Sequence, residues 1–193
     1  RPGRADGQDQ SLGLIDMSNK QALREFQSRL AARLQSAQTG GVAASWLAVE
    51  AGSQRLLFPL SHAGEIFYWT DVQRVPYVQP WFLGVANLRG GLSGVIDLAR
   101  FVGGAEPVAG RSEADLAQCR LVALNPVLGA NCALLVDRLL GLRTTEAFAS
   151  SESADPIAPA FFGHRYADAD GQSWQELNLQ LLSQHPAFLG IGV

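Results

Sequence analysis

The stretch Phe82-Leu83-Gly84-Val85-Ala86-Asn87-Leu88-Arg89-Gly90-Gly91-Leu92-Ser93-Gly94-Val95-Ile96-Asp97-Leu98 decides how the rest of the chain is read. Its two apolar runs, Phe82 to Leu88 and Leu92 to Ile96, are short and punctuated by glycine, which suits strands rather than helices. Gly84 and Gly90 permit a bend, a close backbone approach or a positive φ, so their expected role is structural. Asp97 can cap one helical turn over Asp97 to Phe101. Arg89 is a long cation beside an apolar strand and must pair or reach water. Asn87 has two readings, a turn-fixing amide or a partner contact.

Working outward, Trp46 to Ala51 and Arg55 to Leu60 flank Gly52-Ser53-Gln54, a loop of hairpin length. Glu65 to Thr70 follows, then Val75-Pro76-Tyr77, where proline interrupts ladder pairing. Arg120 to Leu124, Cys132 to Val136, Leu139 to Thr145, His164 to Asp168 and Ser173 to Asn178 are further strand candidates. Leu177 to Gln184 reads as a short closing helix, while Gly103 to Gln118 and Ala149 to Gly163 read as loops. Many short strands without long intervening helices predict a mostly β fold of barrels or sandwiches, dividing near 103–118 into two comparable halves. Ahead of this region, 1–17 is expected to be a flexible lead-in. Residues 18–39 carry Leu23, Phe26, Leu30 and Leu34 on one stripe of an amphipathic helix, expected to pack on the following domain or on a partner helix.

Composition narrows the function classes. The chain has 193 residues, 47% of them hydrophobic, and a formal net charge of −3. That apolar content argues against global disorder, and the mild negative charge gives no footprint for nucleic acid. No window approaches a membrane span, and Arg1 to Gln10 has no apolar run of signal-peptide type, so a cytoplasmic protein without direct membrane insertion is expected. Lys20 is the only lysine beside fourteen arginines, a bias best assigned to base composition. If Asn125-Pro126-Val127-Leu128-Gly129 makes a hairpin with Leu124 facing Asn131 and Ala123 facing Cys132, then Cys119 and Cys132 lie beyond disulfide reach. Two buried free thiols are expected.

Chemistry has little to stand on. His62, His164 and His185 sit in no nucleophile elbow or metal-ligand spacing, and a phosphate loop is absent. Asp168-Ala169-Asp170-Gly171 fits a hairpin turn better than a calcium loop. No catalytic residues, metal or cofactor are expected.

The motifs His62-Ala63-Gly64-Glu65-Ile66, Val75-Pro76, Gly84-Val85-Ala86-Asn87-Leu88-Arg89-Gly90 and Val95-Ile96-Asp97-Leu98 together resemble the CheW-like family of chemosensory coupling proteins. Ala133-Leu134-Leu135-Val136-Asp137-Arg138-Leu139 is similar to that family's second-lobe segment, so the resemblance runs from about Trp46 to the C-terminus. Asp170-Gly171-Gln172-Ser173-Trp174, His185-Pro186-Ala187-Phe188-Leu189 and the additional N-terminal helix look most like the PilI branch, which serves type IV pilus systems and twitching motility.

The resemblance implies two five-stranded, SH3-like barrels sharing a hydrophobic interface. It implies a non-catalytic adaptor between the cytoplasmic tip of a methyl-accepting receptor and the regulatory domain of a CheA-like histidine kinase. Such an adaptor is recruited to membrane-associated receptor arrays and meets array neighbours there. By the same resemblance Arg89 pairs with Glu65 on the receptor-coupling face, bordered by Val75 and Pro76 at the end of a strand, while Val136 and Asp137 contribute from the second lobe. Trp81 is the tryptophan most suited to partner contact, and exposed apolar patches are expected to flank the Arg89 strand. A flagellar coupling protein and a small β-barrel enzyme using the histidines are the alternatives.

Overall fold

The computed structural model describes residues 45–103 and 111–193. The lead-in over 1–17 and the helix over 18–39 lie outside the described residues. Strands β1 (Trp46–Ala51), β2 (Gln54–Pro59) and β3 (Ala63–Tyr68) are followed by β4 (Phe82–Leu88) and β5 (Gly91–Asp97). Short helices α1 (Leu98–Val102) and α2 (Glu113–Gln118) precede β6 (Arg120–Leu124), β7 (Cys132–Val136) and β8 (Arg138–Arg143). Then come β9 (Phe148–Glu152), β10 (Phe162–Asp168), β11 (Ser173–Leu177), α3 (Leu179–Gln184) and α4 (Pro186–Leu189).

The strands form a six-stranded sheet, order β8-β1-β2-β11-β10-β9, and a five-stranded sheet, order β3-β6-β7-β5-β4. The mostly β expectation therefore holds, but the strand numbers are six and five rather than two fives. Nor do the halves on either side of 103–118 correspond to the sheets. The five-stranded sheet takes β3, β4 and β5 from before 103–118 and β6 and β7 from after it. The six-stranded sheet combines the first two strands of the region with the last four.

Burial explains why some strands read as unbroken apolar runs. In β1, Leu47, Val49 and Ala51 enter a central core, while Trp46 and Ala48 enter a second cluster with Leu57 and Trp174. In β7, Leu134 and Val136 enter the same central core, while Ala133 and Leu135 join a third cluster with Val95 and Leu121. Each of these strands is covered on both faces, so its sequence does not alternate. The central core is common to both sheets, and each sheet holds a smaller core of its own.

Two local expectations are corrected. Ala123 faces Ala133 rather than Cys132, a register one residue longer than the turn sequence implied. Asn125 accepts the Val127 N–H (3.1 Å) and starts a 3-10 turn over Pro126–Leu128, which Gly129 leaves at φ 70°. The added turn residue moves every pair, and a one-residue slip would turn the whole strand over. Both thiols are free; Cys119 is buried and Cys132 half-buried. The second correction is that Val75 and Pro76 end no strand: β3 stops at Tyr68, and both residues lie exposed in an irregular crossing between β3 and β4.

Candidate functional site

Leu88 pairs with Gly91, so Arg89-Gly90 is a two-residue turn between β4 and β5. Both turn residues have positive φ, 51° and 76°. That geometry matches the strand twist of a tight hairpin and is ordinarily filled by Asn, Asp or Gly. Arginine there carries left-handed strain of roughly 1–2 kcal/mol. The strained backbone projects the side chain to Glu65 on β3, with Nε 2.5 Å from Oε2. β3 and β4 are the two edges of the five-stranded sheet, so this ion pair links one edge to the turn at the other. Arg89 is 76% and Glu65 39% exposed, and a pair so open contributes only about 0–1 kcal/mol to stability. The turn thus accepts more strain than the pair returns.

The outer edge of β4 is covered by the crossing chain. Gln73 N–H donates to the Val85 carbonyl (2.8 Å) and Val85 N–H donates back (2.9 Å). Gly84 makes this possible: its φ is 139°, and a Cβ there would collide with the Gln73 carbonyl oxygen. Beyond Gln73, Val75 and Pro76 are exposed, and Tyr77 is 84% exposed at φ 57°. Val78 is bridged to Gly192, and Gln79 N–H donates to Ile191 (2.8 Å), so the C-terminal residues brace this crossing. An open recess of about 530 Å³ lies here, lined by Trp69, Val72, Arg74, Val75, Val78 and Leu83.

The sequence-derived candidates do not converge on one spot. Glu65 and Arg89 meet, and Asn87 is exposed two residues away from Arg89, its side chain making no hydrogen bond to any described residue. The amide therefore fixes no turn. Trp81 precedes β4 at its other end, roughly 25 Å from Arg89 at about 3.3 Å per residue. There it stacks on Phe188 (6.0 Å, 13°) and meets Phe101 edge-on (5.1 Å, 82°), which makes it half-buried packing rather than an open contact.

Val136 is fully buried in the central core and is removed from the contact surface. Asp137 also has internal employment. Its Oδ1 accepts from Arg111 Nε (2.7 Å) and its Oδ2 from Gly52 N–H (2.6 Å). Asp97 caps α1 as expected, accepting from Arg100 N–H (3.3 Å), but it is completely buried and also accepts Arg111 Nη1 at 2.5 Å. Burial alone would lower the Arg111 pKa, yet the two carboxylates more than reverse this and hold the guanidinium charged. Arg111 had no sequence signal, because its partners lie 14 and 26 positions away.

Exposed apolar side chains do not flank Arg89 alone. Ile66, Tyr68 and Leu92 stand on neighbouring strands, but Leu142, Ile157 and Leu189 are distant in the chain and equally open. Tyr68 carries the Arg120 guanidinium 4.3 Å over its ring. The histidines are dispersed: His164 faces Glu176 at 3.7 Å, and His185 Nδ1 accepts the Ala187 N–H (3.2 Å) at the start of α4. No group of three His, Cys, Asp or Glu suited to a metal occurs among the described residues, and no helix among them is long and apolar enough to cross a membrane.

Comparison with known proteins gives the same direction throughout. Protein PilI of Pseudomonas aeruginosa is 28% identical over 167 residues, covering 86% of this chain and 89% of that protein. The scaffolding protein TtCheW from Thermoanaerobacter tengcongensis has a crystal structure that superposes with a TM-score of 0.56 at 18% identity. The match covers 69% of this chain and 88% of that one, a likeness of fold. The CheW-like domain family matches residues 45–187, most of the chain, and with the motifs and sheets described above this places the protein within the CheW-like domain family.

Proposed function

We propose that this chain is a non-catalytic adaptor that couples the cytoplasmic tip of a methyl-accepting receptor to the regulatory domain of a CheA-like histidine kinase. The pathway is that of a type IV pilus chemosensory system driving twitching motility, and the protein works in the cytoplasm at receptor arrays. The observation that carries the reading is the exposed Glu65–Arg89 pair, held by a strained turn, with Ile66, Tyr68 and Leu92 exposed on the strands that the pair connects. A polar anchor on strands that also expose apolar side chains suits a partner helix that supplies both kinds of contact. Asn87 extends the polar part of the surface. The likeness to PilI favours the pilus pathway over the flagellar one.

Reconstitution tests this directly. Purified chain, receptor-tip fragment and kinase are mixed, and the ternary complex is followed by size-exclusion chromatography and kinase autophosphorylation. The expected result is a complex with pilus-type tips that survives substitution of all three histidines and is lost with Arg89→Ala. Preference for flagellar tips would move the protein to the other pathway. A complex indifferent to Arg89 would remove the pair from the interface.

A further inference from the structure

We infer that the Asp97–Arg111–Asp137 triad is a lock between the two sheets, which holds the α2 segment leading into Cys119 and opens as a unit.

The triad stands where the sheets exchange the chain. Asp97 ends β5 of the five-stranded sheet, and Asp137 is the single residue between β7 of that sheet and β8 of the other. Asp137 holds the six-stranded sheet at two points: its Oδ2 accepts Gly52 N–H at the β1–β2 turn, and its own N–H donates to Glu50 (2.8 Å). One guanidinium, only 11% exposed, bridges both carboxylates. Such a bridge is directional and either made or broken, unlike the apolar contacts of the central core around it.

α2 is fastened at its ends and little elsewhere. None of its residues is buried. At its start, Ser112 and Asp115 form a capping box directly after Arg111. At its end, Arg120 Nη1 donates to the carbonyls of Ala117, Gln118 and Cys119 (3.1, 3.0 and 2.8 Å). With so little apolar area to expose, the segment belongs to the low-stability end of the molecule once its ionic fastening is released. Cys119, the next residue, is 1% exposed, and its Sγ lies 3.9 Å from the same Asp137 oxygen that Arg111 holds. The thiol therefore reports whether the lock is closed.

The inference goes beyond the adaptor reading and needs no partner to be tested. In the full chain carrying Cys132→Ala, Cys119 is labelled with an aromatic disulfide reagent at increasing urea below the unfolding transition. Local opening gives a rate that is flat in urea, whereas global unfolding gives a rate that climbs with it. Arg111→Lys keeps the positive charge but not the two-carboxylate bridge, and the expected result is labelling at least tenfold faster with unchanged far-UV circular dichroism. Asp137→Asn releases the lock from the other side and is expected to do the same. A rate within twofold of the parent in either folded variant, or labelling in the parent that follows global unfolding, would overturn the lock.

Discussion

Arg89 Nε stands 2.5 Å from Glu65 Oε2, and the two residues occupy opposite edges of one five-stranded sheet. The contact is open to solvent, and Arg89 sits at φ 51° in a two-residue turn where Asn, Asp or Gly is the ordinary occupant. Arginine kept against that preference points to a use for its side chain, because strained residues concentrate at functional surfaces. Binding and stability should therefore respond differently to substitution at this turn.

Arg89→Asn separates them first. Asparagine tolerates left-handed φ and suits this turn, which offsets loss of an exposed pair worth about 0–1 kcal/mol. The melting temperature is expected to stay level or rise, while affinity for a receptor-tip fragment falls at least tenfold. A loss of both together would mean that the pair is chiefly structural.

The two structural glycines should differ sharply. Gly84→Ala forces a Cβ into the Gln73 carbonyl and is expected to cost roughly 2–4 kcal/mol in urea denaturation. Gly90→Ala has a positive φ but no atom within 4 Å of its new carbon, so about 1–2 kcal/mol is expected. Equal costs would contradict the close crossing at Gln73.

Removing the Arg111 cation leaves two carboxylates facing each other, with Asp97 buried and its cap on α1 perturbed. Arg111→Met is expected to destabilise by about 3–5 kcal/mol. Adding Asp97→Asn and Asp137→Asn should recover much of this. Failure of the neutral triple variant to recover stability would show that the cost is packing rather than charge.

Asp168 offers a test in acid. Its carboxylate is held below the ordinary value near 3.8, chiefly by the Trp174 indole N–H and then by the Gln172 N–H. A depressed carboxylate stabilises fully above its unfolded pKa, and that contribution is lost as pH falls through the folded pKa. Asp168→Asn is therefore expected to lower the melting temperature at pH 7 and to reduce its fall as the pH drops through and below the ordinary carboxylate value near 3.8. An acid limb of unchanged steepness would count against this hydrogen-bonded turn.

What was readable in the sequence followed from burial. Trp46–Ala51 and Cys132–Val136 were found with their bounds intact because both faces are covered and the runs are continuous. β9 reads as loop because Phe148 is its one large apolar residue, and Ala149 to Glu152 are exposed on an edge strand. Helix α2 reads as loop for the same reason, having no buried residue to create a stripe. The Val-Asp pair at 136–137 reads as a family motif, but no sequence signal shows that Val136 is buried in the core or that Asp137 holds an internal ion bridge. Arg111 was invisible because long-range charge pairing leaves no periodicity. The Glu65–Arg89 contact is legible only through family resemblance, since 23 intervening residues separate its partners by way of an irregular crossing.

The central claim is that this pair is presented to a partner, and a charge exchange tests it most directly. The chain carrying Glu65→Arg together with Arg89→Glu keeps opposite charges facing each other but reverses what the partner meets. Its affinity for the receptor-tip fragment is measured by calorimetry beside its urea midpoint. The expected result is stability within about 0.5 kcal/mol of the parent and binding at least tenfold weaker, a loss of about 1.4 kcal/mol or more. Parental affinity in the exchanged protein would contradict the claim and leave the pair as a bridge between sheet edges.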